Sequence, residues 1–248
     1  MGQVTFDFTG CRFVVTGASS GMGCALAREL ALAGADVLAI ARREEKLRIL
    51  QTEFPERITI APVDVCDKEN VSAAIRNFVQ TKGKLNGGVH AAGIVGITPL
   101  KQYDSEVARK IMDVSFWAGM DFLQICTKSA MSEKGASFVL FSSIDAIAGW
   151  KGKFAYSSAK MAVNSAVKSI AKEIARRGQR VNSILPGWVQ TNMTKEAAEL
   201  TDMAPIMERE LLGVGKPEDV TGQVLFLLSD RAAWITGTNV VVDGGYLA

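Results

Sequence analysis

The sequence predicts a doubly wound α/β fold, a parallel sheet with helices packed on both faces. Three observations lead there. Short apolar, β-branched runs alternate with segments of helical periodicity, the pattern of successive βαβ units. The runs are apolar throughout, as in strands covered on both sides. The first run passes directly into a glycine-rich turn and then a helix. With 248 residues, 48% of them hydrophobic, the chain can bury one large core. No internal repeat, low-complexity stretch or linker divides it, so residues 1–248 are read as a single domain.

Each element follows from local chemistry. Arg12–Thr16 is the first strand, and the helix after the glycine turn ends at Gly34. Asp36–Ala41 is the second strand. A charged amphipathic helix over 43–54 is stopped by Pro55. Ile58–Val63 is the third strand. Asp67 caps a helix running to about Thr81, and Leu85–Ala91 is the fourth strand. Residues 105–131 read as one long helix, apolar on several faces, which calls for burial on more than one side. One of those sides is expected to meet a second copy of the chain. Ser137–Phe141 is the fifth strand, 154–177 a long helix, and Arg180–Leu185 the sixth strand. Residues 192–213 have mixed character and are read as a substrate lid. Pro217 opens a helix to about Ser229. Thr238–Asp243 is the last strand, after which Gly244 and Gly245 turn the chain out.

Composition narrows the function. The formal net charge is +2 with no basic block, which does not favour nucleic acid. No apolar run reaches the ~18 residues of a membrane span. The first residues lack the charged and apolar regions of a signal peptide. Four cysteines at wide spacings, Cys11, Cys24, Cys66 and Cys126, read as reduced thiols, so a cytoplasmic location is expected. His90 is the only histidine; it reads as a hydrogen-bonded core residue, and no metal site is expected.

Two stretches carry chemistry. In Gly17-Ala18-Ser19-Ser20-Gly21-Met22-Gly23 small residues let the backbone approach a pyrophosphate, and the following helix offers free N–H groups and a positive dipole end. After the second strand, Ala41 leaves the place where many such folds carry an acid for the ribose hydroxyls. Arg42 and Arg43 follow. A guanidinium suits the 2′-phosphate of NADP better than the free hydroxyl of NAD: Arg42 is expected to lie near the adenine and bond the phosphate, with Arg43 and the Ser19 or Ser20 hydroxyl as secondary contacts; the plainer reading is a solvated helix start. In the long helix, Tyr156 and Lys160 stand four apart on one face. A cation beside the phenol stabilises phenolate, and the pair can exchange a proton with a carbonyl or hydroxyl oxygen.

These motifs, T-G-x-x-x-G-x-G at Thr16–Gly23 and Y-x-x-x-K at Tyr156–Lys160, with Ser143 thirteen residues before the tyrosine, resemble the short-chain dehydrogenase/reductase family. The resemblance extends from Thr16 to Gly245. It implies about seven strands in the order 3-2-1-4-5-6-7, with Ser143, Tyr156 and Lys160 as catalytic residues. Asp64, followed by Val65, matches the family's acid at the adenine. His90-Ala91-Ala92-Gly93 keeps only the second half of the family's Asn-Asn-Ala-Gly, and Ala92 and Gly93 fall beside the cofactor ribose. Ser115 stands where the family has a relay asparagine acting through its backbone carbonyl. Pro186-Gly187-Trp188-Val189-Gln190-Thr191 resembles the P-G-x-x-x-T segment, which brings Pro186, Gly187, Val189 and Thr191 to the nicotinamide.

The implied reaction is hydride transfer between NADP(H) and a small-molecule carbonyl/alcohol pair. Ser143 would position the substrate oxygen, Tyr156 would move the proton, and Lys160 would lower the phenol's pKa and bind the ribose. Ile144, Asp145, Trp150 and Trp188 are expected in the substrate pocket. Within this chemistry the substrate could be a 3-oxoacyl thioester, a hydroxysteroid or a sugar or polyol. A dinucleotide-binding sensor without turnover is the alternative of a different class. The family also implies a dimer or tetramer.

Overall fold

The computed structural model describes residues 2, 4–191, 194 and 209–248. Most of the lid expected over 192–213 therefore lies outside the described residues. Seven parallel strands form one sheet in the order β3-β2-β1-β4-β5-β6-β7. They are β1 (Arg12–Thr16), β2 (Asp36–Ala41), β3 (Ile58–Pro62), β4 (Leu85–His90), β5 (Ser132–Phe141), β6 (Arg180–Pro186) and β7 (Asn239–Val242). The main helices are α1 (Gly21–Leu32), α2 (Glu44–Glu53), α3 (Lys68–Lys82), α4 (Ser105–Met112), α5 (Ala118–Cys126), α6 (Asp145–Ala148), α7 (Phe154–Ile174) and α8 (Pro217–Leu228). The strand order reverses between β1 and β4, and crossovers on opposite faces leave a crevice at the strands' carboxyl ends.

The two faces carry separate apolar layers. Phe13, Val15, Leu26, Leu30 and Val224 belong to the layer beneath α1 and α8. Val14, Ile75, Phe122, Phe138 and Val163 belong to the layer beneath α3, α5 and α7. Neighbouring β1 residues therefore point to opposite layers, as strand alternation requires. The side chain of Asp67 accepts the Asn70 N–H and caps α3, as expected for an acid before a helical run.

Three expectations about elements change. The helix from Ser105 is not one continuous α-helix to Met131. It passes through a π turn over Asp113–Trp117 and ends at Cys126. β5 begins at Ser132, five residues early, because Ser132 pairs with Leu85 before a register shift. The chain beyond β7 does not simply leave the domain: Tyr246 folds back and is buried with Ile144 and Leu185.

His90 ties the centre of the sheet to the π turn. Its Nε2 lies 3.1 Å from the Val114 carbonyl oxygen, and its Nδ1 lies 3.0 Å from Thr16 Oγ1. A carbonyl only accepts, so Nε2–H donates to Val114 and Nδ1 accepts from the Thr16 hydroxyl. The Ala92 N–H donates to the same Thr16 oxygen at 3.4 Å. One imidazole thus joins β1, β4 and the π turn at a place where the family has amides.

Burial, reinforced by the nearby Lys160 ammonium, lowers the His90 pKa to about 4. The unfolded ring takes up its proton near pH ~6.5. The stability held by neutral His90 is therefore present above that pH and lost as pH falls toward 4. Urea unfolding at pH 7.5 and pH 5 is expected to show His90→Asn losing less stability between the two than the parent chain. The expected difference is on the order of 2 kcal/mol. Equal losses would mean that His90 is not held neutral.

Candidate active site

The carboxyl ends of the strands carry two adjoining cavities. The first has a volume of about 210 Å³ and is lined by Gly17, Ser19, Ser20, Gly21, Met22, Gly23, Arg42, Arg43, Asp64, Val65, Ala92 and Gly93. Every cofactor residue expected from the first half of the chain is on its wall. The second has a volume of about 90 Å³ and is lined by Ser143, Ile144, Asp145, Trp150, Tyr156, Pro186, Gly187, Trp188 and Val189. Met22 and Thr191 line both and form the neck between them.

The wall of the first cavity depends on missing side chains. Gly17 has φ +71°, and a Cβ there would lie 2.7 Å from the Ala92 nitrogen. A Cβ on Gly23 would lie 2.5 Å from the Gly17 carbonyl oxygen. The turn can therefore fold against both β4 and its own helix only with glycine at these places. No side chain caps the N-terminus of α1. Its first-turn N–H groups are left for an anion. These residues fit the pyrophosphate of a dinucleotide.

At the far end of this cavity the two arginines separate. Arg43 Nη2 donates to Ser19 Oγ at 2.9 Å and to Ser20 Oγ at 2.6 Å. Arg42 turns toward Asp64, with Nη1 3.9 Å from Oδ2. The expectation had ranked Arg42 first; the geometry puts Arg43 against the glycine turn. Lys110, on α4, also lines the cavity and was not foreseen, since it reads as an ordinary helix lysine.

In the second cavity Ser143 closes β5, and its Oγ accepts the Asp145 N–H at 3.1 Å. The adjacent Ser142 points away and donates to the Lys160 carbonyl at 2.9 Å. Lys160 is buried in α7, donates from Nζ to the Phe141 carbonyl at 2.8 Å, and holds Nζ 5.6 Å from the Tyr156 ring centre. A Cβ on Gly93 would lie 3.3 Å from that Nζ and 3.7 Å from Ser115 Oγ, so both side chains approach the Gly93 backbone. Ser115 is fully buried in the π turn, and its hydroxyl has no hydrogen-bond partner among the described residues.

The electrostatics differ from the simple expectation of a lowered tyrosine pKa. Burial, with the Asp145 charge adding to it, raises Tyr156 well above its ordinary value; the Ser143 hydroxyl offsets part of this. Burial also lowers Lys160 to about 8, against an opposing pull from Asp145. Removal from water is the leading cause for both groups, as expected for buried titratable side chains. The phenol is therefore held in its acid form.

Sequence reasoning did not name Lys153 or Tyr246 on this wall. Lys153 stands three residues before Tyr156, the one local signal that points to it. Tyr246 arrives through the turn after β7; Glu210, on the same wall, falls within the segment 192–213 expected as the lid and accepts the Trp188 N–H at 3.2 Å. Among the described residues, no cluster of His, Cys, Asp or Glu could hold a metal ion. No described helix is long and apolar enough to cross a membrane.

A family model described as enoyl-(acyl carrier protein) reductase matches residues 17–247. The chain is 33% identical over 241 residues to the 3-oxoacyl-(acyl-carrier-protein) reductase FabG of Rickettsia felis, covering 97% of this chain and 98% of that protein. It is 29% identical to 3beta-hydroxysteroid dehydrogenase 2 of Eggerthella lenta, covering 95% and 94%. A short-chain type dehydrogenase/reductase from Mycobacterium ulcerans superposes with a TM-score of 0.90 at 31% identity, covering 98% of this chain and 91% of that one. The chain belongs to the short-chain dehydrogenase/reductase family of oxidoreductases.

Proposed function

We propose that the chain is an NADP(H)-dependent oxidoreductase that interconverts a carbonyl and a secondary alcohol. One observation carries the reading: the Ser143 and Tyr156 side chains share a cavity that opens through Met22 and Thr191 onto the glycine-turn cleft. Bound nicotinamide would supply the hydride. The substrate oxygen sits between the Ser143 and Tyr156 hydroxyls. Ser143 polarises it by hydrogen bonding, and Tyr156, kept protonated by its buried setting, donates the proton in the reducing direction. Lys160 stays largely cationic at neutral pH and stabilises the phenolate as it forms. Ser115 acts through its backbone, since its hydroxyl has no partner among the described residues. A 3-oxoacyl thioester is the leading substrate class, since relatives at 30–33% identity carry that activity in their names; hydroxysteroids and sugars are the others. Four free thiols favour a cytoplasmic, reducing setting.

A spectrophotometric assay of NADPH oxidation with a ketone panel tests the mechanism. Turnover is expected in the parent chain, with a loss on the order of 10²–10⁴ in Tyr156→Phe and most activity retained in Ser115→Ala. A fully active Tyr156→Phe would refute the proton-transfer role, and no turnover with any ketone would favour the sensor.

For the cofactor, Arg43 and the Ser19 and Ser20 hydroxyls would surround the 2′-phosphate, with Arg42 toward the adenine beside Asp64. A charge-assisted bond contributes roughly 1.5–3 kcal/mol. Arg43→Ala is therefore expected to weaken NADPH binding by about ten- to hundredfold while leaving NADH nearly unchanged, as read by calorimetry at fixed salt. Equal weakening of both cofactors would mean that Arg43 only supports the turn.

The chain is also proposed to assemble as a dimer or tetramer. Tyr103, Val107, Trp117, Phe154 and Met161 are large exposed apolar residues on or beside α4, the π turn and α7, and a second copy can cover them. Light scattering at micromolar concentration is expected to give a multiple of 26.6 kDa; a monomer would exclude this.

A further inference from the structure

Lys153 is an unusual group for the wall of an apolar cavity. Its side chain is only 15% exposed. Nζ lies 5.5 Å from the ring centre of Trp150 and 5.5 Å from that of Trp188. The ammonium is thus clamped between two indole faces instead of extending to water. Among the described residues its one hydrogen bond is to Asp145 Oδ2, at 3.5 Å. An ammonium has three N–H donors, so two are unused among the described residues, on a side chain that lines the same space as Ser143 and Tyr156. A desolvated cation with unused donors is costly unless something in the cavity accepts from it.

The surrounding charge selects what that acceptor is. Among the described residues, two carboxyl groups, Asp145 and Glu210, share the cavity wall with one ammonium, that of Lys153. A substrate carboxylate or phosphate would gain one cation and meet two acids. A neutral carbonyl oxygen gains the hydrogen bond without that repulsion. Trp150, Trp188 and Tyr246 supply apolar surface for the rest of the molecule.

We propose that Lys153 is a specificity-determining residue that donates to a second, neutral carbonyl of the substrate, placed near the carbonyl that reacts. The inference rests on the carbonyl reductase reading above. It narrows the substrate to β-keto esters, thioesters or amides, as distinct from simple ketones or free β-keto acids. Asp145 then acts as a positioning residue, holding the ammonium between the indoles.

The test uses ethyl acetoacetate, 2-hexanone and free acetoacetate with NADPH. In the parent chain kcat/KM is expected to be highest for the ester. In Lys153→Met the ester-to-hexanone ratio of kcat/KM is expected to fall by about ten- to hundredfold. A purely structural ion pair would lower both substrates together and leave that ratio unchanged, which would overturn the proposal. Preference of the parent chain for free acetoacetate over its ester would overturn it as well.

Tryptophan fluorescence titration keeps the two readings apart, because Trp150 and Trp188 report binding without turnover. Tighter binding of the ester than of hexanone, lost in Lys153→Met, supports the site even where no ketone is reduced; in that case the proposed reaction alone fails. Equal binding of ester and hexanone by the parent chain removes the site whatever the turnover.

Discussion

The closeness of two backbone segments governs the rest of the site. Gly17 leaves β1 with positive φ and packs against Ala91 and Ala92 at the end of β4, where no Cβ fits. That contact sets the depth of the first cavity and the height at which α1 presents its N-terminus. It also fixes β4 relative to β1, so that Thr16 can bond both His90 and the Ala92 N–H. Gly23 repeats the constraint one helical turn on, against the Gly17 carbonyl. Both cavities share Met22 from this same turn. Widening the glycine turn would therefore alter the second cavity as well as the first.

Burial, more than pairing, sets the charge states around the reacting groups. Tyr156 is raised, Lys160 lowered and His90 lowered, and desolvation is the leading cause for each. Asp145 is raised for the same reason, with Lys153 and Lys160 opposing. In such a setting desolvation shifts each group toward its less charged form. The phenol is then a proton donor by default, and the ammonium's part is to ease its departure from that state.

Much of this was legible in the sequence because it depends on local rules. β1 and β2 have the expected bounds, since β-branched apolar runs between glycines leave little choice. The glycine turn and the spacing of Ser143, Tyr156 and Lys160 marked residues that the fold brings to one crevice. What was not legible depends on distant contacts. Tyr246 reaches the second cavity through the turn after β7, which has no periodic signal. Lys153 reads as one of several lysines before a helix, until the two tryptophans are seen to enclose it. The choice between Arg42 and Arg43 turned on side-chain direction, which sequence order does not encode.

The π turn over Asp113–Trp117 explains why the sequence around it reads as apolar on several faces. An α-helix turns through about 100° per residue, and a π turn accommodates one residue more than an α turn. The two halves of the segment are therefore out of phase: the stripe that α4 presents inward is not continued by the same positions in α5. A single helical wheel drawn through both halves smears two narrow stripes into one apparent apolar cylinder. The segment behaves as two short rods joined by a fixed rotation, and that rotation turns Ser115 inward while Trp117 remains at the surface.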